Sequence, residues 1–324
     1  MKRTMHALGT ESSALGMGCW AIGGEWTLAG SPSGWGKSDD GESLAAIEAA
    51  YDNGIRLFDT AANYGVGLSE ELVGKALKGK RDDCVISTKF GFKLEPETKS
   101  VSNYGESMQT ADVKKYLKRD CEASLKRLGT DYIDVFFFHI WEYDKALAEE
   151  LVPALEDLVS EGKIRSFGWS TDSVDLASLW TKSGGFSSVQ FNFNVAAPAD
   201  DMLNFIDEHC LNGFNRGPLA MGFLTGKYDA SSSFGENDTR RSDWVVEGFR
   251  KPVLAKIDRL KEVLGSGGRT PAQGALAWIW AKSPHVFPIP GIRTVGQAVE
   301  NAKAMEFGPL GESEMKQIAE IMNG

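Results

Sequence analysis

Short β-branched or aromatic runs alternate with longer segments of helical period along almost the whole chain, which is the pattern of βα units around a parallel sheet. Eight runs read as strands: residues 14–19, 55–59, 84–89, 133–139, 164–169, 188–191, 213–216 and 286–288. Helical segments are clearest at 41–53, 69–78, 110–128 and 146–161, with more expected near Val174, Ala199, Pro252 and Val295. Thr110 and Asp112 are placed to cap a helix start, Gly129 to follow its end, and Gly162 to end the next helix.

Parallel strands of this number close as a barrel or lie open as a doubly wound sheet. The open dinucleotide-binding form wants GxGxxG straight after its first strand. Here Gly16 and Gly18 lack a third glycine at the required place before a helix. The expectation is therefore one α/β domain over residues 1–324, a (β/α)8 TIM barrel, for which a 324-residue chain is a usual length. Two stretches, 23–40 and 228–244, are too long for routine connections and are expected at the barrel mouth, where both could cover a ligand.

The charged fraction of 25% and hydrophobic fraction of 42% suit a folded globular protein, and a net charge of -10 opposes broad nucleic-acid binding. Cys19, Cys84, Cys121 and Cys210 have no paired spacing, so no zinc site is indicated and free thiols are expected. The N-terminus has no apolar signal core, and no window approaches the roughly 20 apolar residues of a membrane span. A cytoplasmic protein without membrane contact is expected; protein partners are left open.

Three of the strand runs deliver an ionisable group at their C-terminal ends. DTAANYG, residues 59–65, supplies Asp59 and Tyr64; VISTK ends at Lys89; and YIDVFFFH ends at His139. In a parallel barrel those ends meet at one mouth. Tyrosine has an ordinary pKa of about 10, so its use as a proton donor near neutrality calls for a cation beside it. Lys89 would be that cation, Asp59 would keep it charged and fixed, and His139 would donate to a substrate oxygen. A desolvated strand-end lysine also suits Schiff-base chemistry, which keeps an aldolase through Lys89 open.

DTAANYG, STKFG, FFFHIW, FGWST, VQFNF, GPLAMGFLTGKY and PIPGIRTVGQAVENA fall in the order and spacing of the aldo-keto reductases, which this chain resembles over nearly its whole length. The resemblance implies an (α/β)8 barrel that binds extended NADP(H) without a Rossmann domain. It implies hydride transfer between NADP(H) and an aldehyde or ketone, or the corresponding alcohol, with a small-molecule carbonyl as substrate. Tyr64 would be the general acid, Lys89 and Asp59 would tune it, and His139 would orient the carbonyl. The aldolase alternative leaves the nucleotide segment unexplained. A regulatory subunit that keeps fold and cofactor is a further alternative, and the intact tetrad argues against it.

The resemblance also assigns cofactor contacts. Ser170 and Gln190 match the polar pair that holds the nicotinamide carboxamide, while Thr171 stands where many members have asparagine. Arg216 lies where many members place an aromatic residue, and its planar guanidinium can also stack on a ring. Trp20 belongs to the same set. Gly217, Leu219, Gly222 and Leu224 fall in the loop under the pyrophosphate, with Lys227, Arg240 and Arg241 as additional phosphate contacts. Near the C-terminus, Gly291 to Thr294 open a helix that carries Gln297, Glu300 and Asn301 on one face. Arg293 is suited to a 2'-phosphate, and Gln297 and Asn301 to the adenine. Many relatives carry lysine and serine where this chain has Gly291 and Ile292, so preference for NADPH over NADH rests on Arg293. Trp26, Phe92 and Trp141, with Tyr64 and His139, are expected to line the substrate pocket, and Trp35 and Trp169 to lie near the mouth.

Overall fold

The computed structural model describes residues 1–323. Its main sheet has eight parallel strands, each hydrogen-bonded to the next in chain order. They are β1 (Gly16–Gly18), β2 (Leu57–Asp59), β3 (Val85–Phe90), β4 (Ile133–Phe138), β5 (Ile164–Ser170), β6 (Phe186–Asn192), β7 (Asn212–Arg216) and β8 (Val286–Pro288). The sheet closes just past β8, where Gly18 N donates to Pro290 O at 2.9 Å and Ile292 N donates to Gly18 O at 3.2 Å. A Cβ on Gly18 would sit 2.6 Å from the Ile289 carbonyl oxygen, so only glycine permits this approach. The Gly16 and Gly18 pair, unsuited to a dinucleotide turn, belongs to the seam of a barrel.

Alternation along the strands sorts the side chains. Leu57, Val85, Val135, Phe137, Phe214, Phe287 and Ile289 point inward and form one packed cluster with Met5. Gly168 makes room for it, since a Cβ there would lie 2.4 Å from the Phe137 ring. Met5 comes from an N-terminal hairpin, Lys2–Met5 with Thr10–Ser13, which plugs the end of the barrel where the strands begin. Arg3 fastens that plug by donating to the carbonyls of Trp280, Ser283 and Val286. Outward side chains, among them Phe58, Phe136, Phe138 and Trp169, form the larger core beneath the helices.

The longer helices are α1 (Asp40–Asp52), α2 (Leu68–Ala76), α3 (Leu117–Leu128), α4 (Lys145–Ser160), α5 (Val174–Ser178), α6 (Asp200–Glu208), α7 (Ile257–Leu264), α8 (Pro271–Lys282), α9 (Val295–Phe307) and α10 (Glu312–Asn323). The helix expected over 110–128 begins only at Leu117. Neither Thr110 nor Asp112 caps it: Asp112 N instead donates to Tyr104 O at 2.7 Å, tying 104–113 into the connection after β3. Helices α8 and α10 were not among the expected segments. Among the described residues no helix is long and apolar enough to cross a membrane.

The two long stretches are structured. Residues 27–28 and 31–32 pair as a hairpin that joins Ser100–Ser102 and Lys93–Glu95 in a small four-stranded sheet. Trp35 then forms an antiparallel bridge with Asp238, and Thr239 N donates to Gly34 O at 2.9 Å. Loop 23–40 is thereby joined to loop 228–244.

Candidate active site

One layer above the apolar cluster, the same inward alternation places Asp59, Ser87, Lys89 and Gln190 together. Lys89 Nζ lies 2.7 Å from Asp59 Oδ2, donates to Thr60 O at 2.7 Å, and reaches Tyr64 Oη at 3.2 Å. The other carboxylate oxygen of Asp59 accepts from Ser87 Oγ at 2.7 Å and from Gln190 Nε2 at 2.8 Å. Every partner of this buried ion pair therefore offsets part of its desolvation. Tyr64 stands on the tight turn after β2, fixed where Gly65 packs against Gly23 so closely that a Cβ would lie 2.0 Å from the Gly23 carbonyl oxygen. His139 follows β4, with its ring edge-on to Tyr64 at 5.8 Å and its Nδ1 3.0 Å from Asn63 Oδ1.

Burial raises the Tyr64 pKa above the usual 10, while Lys89 pulls the other way by charge and hydrogen bond. The phenol thus keeps its proton near neutrality, and the ammonium supports the phenolate once the proton has gone. For Lys89 the largest single influence is burial, which lowers its pKa. Asp59 and Tyr64 together outweigh it, so the group is raised and fully protonated. Burial, then Lys89 and Arg216, hold the His139 pKa well below 6.5, leaving a neutral imidazole.

The residues assigned to the nicotinamide end stand around this centre. Ser170 closes β5 buried, with no protein hydrogen-bond partner for its hydroxyl among the described residues. Thr171 is already committed, donating to Trp141 O at 2.9 Å and accepting from Ser173 N at 3.1 Å. Arg216 ends β7 and pairs with Asp172 at 2.5 Å. Trp20 stacks on Tyr64 at 6.1 Å and donates its Nε1 to Ser33 O at 2.9 Å.

Beyond β7 the backbone turns through a left-handed series: Gly217 at φ 66°, Ala220 at 47°, Met221 at 56° and Gly222 at 92°. Ala220 and Met221 are consecutive non-glycine residues in that region and store strain, while the amides of Ala220 and Gly222 close the turn on the carbonyls of Gly217 and Leu219. A Cβ on Gly217 would lie 2.7 Å from Asn192 Oδ1, a buried acceptor with no partner among the described residues. Leu219 is half-buried and Leu224 fully buried, so the latter offers only backbone. These features fit a phosphorylated dinucleotide with an amide at one end.

The C-terminal segment is assembled as its motif suggested. Thr294 caps α9, Gly291 is exposed, and Arg293 N donates to Gln297 Oε1 at 2.8 Å. Arg293 Nη1 donates to Trp35 O at 3.0 Å, placing the guanidinium beneath loop 23–40. Glu300 pairs with Lys227 at 3.4 Å, and Asn301 is buried. Arg240 is employed within the protein: it pairs with Asp238, donates to Tyr228 Oη at 2.8 Å, and lies over the rings of Trp35 and Phe234. Arg241 is exposed.

Among the aromatic residues, Phe92 packs edge-on to His139 at 5.7 Å and Trp141 is 43% exposed at the mouth. Trp26 is buried with its Nε1 unpartnered among the described residues. Trp169 is a core residue, packed on Trp180 at 4.7 Å with its Nε1 donating to Ile140 O. Sequence reasoning missed Ser87, Asn63 and Asn192. Ser87 lies two positions before Lys89, and so on the same face, while Asn63 adjoins Tyr64 in the same motif.

A family model described as the aldo/keto reductase family matches residues 14–323. Among similar proteins, the aldo-keto reductase yakc of Schizosaccharomyces pombe, whose name carries NADP(+), is 30% identical over 316 residues, covering 95% of this chain and 87% of its own. Aldo-keto reductase YhdN of Bacillus subtilis is 30% identical over 97% of this chain and 91% of its own. Among solved structures, a glycerol dehydrogenase from Gluconobacter oxydans aligns with TM-score 0.82 at 29% identity, over 99% of this chain and 94% of its own. An aldo/keto reductase from Klebsiella pneumoniae, in complex with NADP and acetate, aligns at 0.71 with 26% identity, over 99% and 95%.

Proposed function

Because the chain belongs to the aldo/keto reductase family, whose enzymes interconvert carbonyl compounds and alcohols, we propose that Tyr64 is its general acid and base, acting on a small aldehyde or ketone with NADPH preferred over NADH. The observation that carries this reading is the 3.2 Å contact between Tyr64 Oη and the buried Lys89 ammonium, itself paired with Asp59 at 2.7 Å. The nicotinamide cofactor supplies the hydride in reduction and accepts it in oxidation.

The chain's own groups do the rest. Tyr64 gives its proton to the substrate oxygen as negative charge gathers there, and Lys89 stabilises the phenolate left behind. Asp59 prevents Lys89 from losing its proton instead. His139 hydrogen-bonds the substrate oxygen and fixes its approach to Tyr64. Ser170 and Gln190 hold the nicotinamide amide, without help from Thr171, whose hydroxyl is spent within the protein. Arg216 lies against the nicotinamide, the left-handed loop from Gly217 to Gly222 receives the pyrophosphate, and Arg293 takes the 2'-phosphate. Phe92, Trp26 and Trp141 give the substrate an apolar wall, and the name of the Gluconobacter neighbour suggests that small polyols belong among the alcohols to be tried.

A Schiff base on Lys89 is disfavoured by its raised pKa and its ion pair, since the nucleophile must be the free amine. Tyr64→Phe tests the assignment. Carbonyl reduction is expected to fall about 10²-fold to 10⁴-fold, while NADPH titrated by fluorescence binds as before. Unchanged turnover in that variant would sink the proposal.

A further inference from the structure

A carbonyl oxygen needs a donor, and the tetrad alone does not decide which nitrogen of His139 carries a proton. The ring lies between Tyr64 and Phe92, with centroids 5.8 and 5.7 Å from its own. The charged or titratable groups that face it are Tyr64 after β2, Lys89 on β3 with Asp59 behind it, and Arg216 on β7 with its partner Asp172. Under their influence the imidazole stays neutral, so one proton serves two nitrogens. Nδ1 lies 3.0 Å from Asn63 Oδ1, and Nε2 has no protein partner among the described residues.

Asn63 is 5% exposed, and its amide makes no other side-chain hydrogen bond among the described residues. With the amide oxygen toward the ring, the proton sits on Nδ1 and Nε2 is bare. A half-turn of the amide brings its nitrogen to the same place; it then donates to Nδ1, and the ring proton belongs on Nε2. We propose that Asn63 is the positioning residue for His139, presenting its amide nitrogen to Nδ1 in the cofactor-bound enzyme so that Nε2–H faces the substrate oxygen. This rests on His139 as the carbonyl-orienting group. An amide suits the task because it can donate; a carboxylate at the same place would only accept, holding the proton on Nδ1 and favouring the imidazolium.

Nitrogen-15 spectra distinguish the tautomers, and the chain has only 4 histidines to assign. In the NADPH-bound enzyme, His139 is expected to be protonated at Nε2. Asn63→Ala should mix the tautomers and lower carbonyl kcat/KM about 10-fold, the scale of one hydrogen bond. Asn63→Asp, nearly isosteric and usable if the alanine variant unfolds, should be active at low pH as the imidazolium. It should lose activity as pH rises through the raised His139 pKa, a limb that the native enzyme lacks. Protonation at Nδ1 in the native complex, an alanine variant with unchanged tautomer and rate, or a flat profile for Asn63→Asp would each overturn the proposal. His139→Gln separates the two assignments. If it reduces carbonyls normally, the role of His139 itself is wrong; if it is impaired while Asn63→Ala is not, only Asn63 is misassigned.

Discussion

In the mechanism proposed above, Tyr64 holds its proton until a substrate oxygen requires it, and each neighbour contributes one part of that behaviour. Burial raises its pKa, Lys89 limits the rise, and His139 stays uncharged close by. The sign of the pH dependence follows. Reduction requires the protonated phenol, whose pKa lies above 10, so kcat/KM for reduction should be level from about pH 6 to about pH 9 and fall only beyond. No step is expected near 6.5, because His139 titrates well below that value. Oxidation of an alcohol requires the phenolate and should rise over the same interval. A reduction profile that drops between about pH 6 and about pH 8 would place the acid elsewhere. Asp59, Tyr64, Lys89 and His139 were legible in the sequence because each ends a strand-like run or follows one closely. The commitment of Thr171 to Trp141 was not, because the partner is a backbone carbonyl from another connection.

At the scale of elements, legibility followed periodicity. Strands β2 to β5 stood out as short apolar runs, whereas α8 did not, because AQGALAWIW is buried on every side and shows no polar face to mark its turns. Its capping box, Thr270 with Gln273, was the available signal. The false start at Thr110 arose because cap-forming residues also suit the turns of the connection after β3. Pairing of Trp35 with Asp238 was beyond reach, since residues so distant in sequence leave no local trace. Helix α9 was legible through its opening turn, and its function is tested there. Arg293→Ala leaves Thr294 to cap the helix but removes the guanidinium proposed for the 2'-phosphate. The KM for NADPH should rise about 10-fold to 100-fold, the worth of a charge-assisted contact, while the KM for NADH changes little. Equal losses with both cofactors would mean that Arg293 acts through its bond to the Trp35 carbonyl and supports the loop instead.

For the molecule as a whole, the barrel separates stability from chemistry along its axis. The end where strands begin is filled by apolar side chains and plugged by Met5, and the end where they finish carries the charged network. Between them the inward layer passes from Phe137 and Phe214 to Lys89 and Gln190, so the ion pair rests on a packed floor rather than over a water-filled channel. Disturbing the floor at its far end should therefore cost stability without altering the site. Met5 is fully buried among Leu57, Val85, Val135 and Phe137, and Arg3 anchors the hairpin that carries it. Met5→Ala should leave a cavity and cost about 2 to 5 kcal/mol, seen as a lower urea midpoint, with kcat and the KM for NADPH unchanged in the folded protein. A stability loss accompanied by a comparable fall in kcat would show that strain at the plug reaches Lys89 through the interior layer, and the two ends of the barrel would have to be treated as one coupled unit.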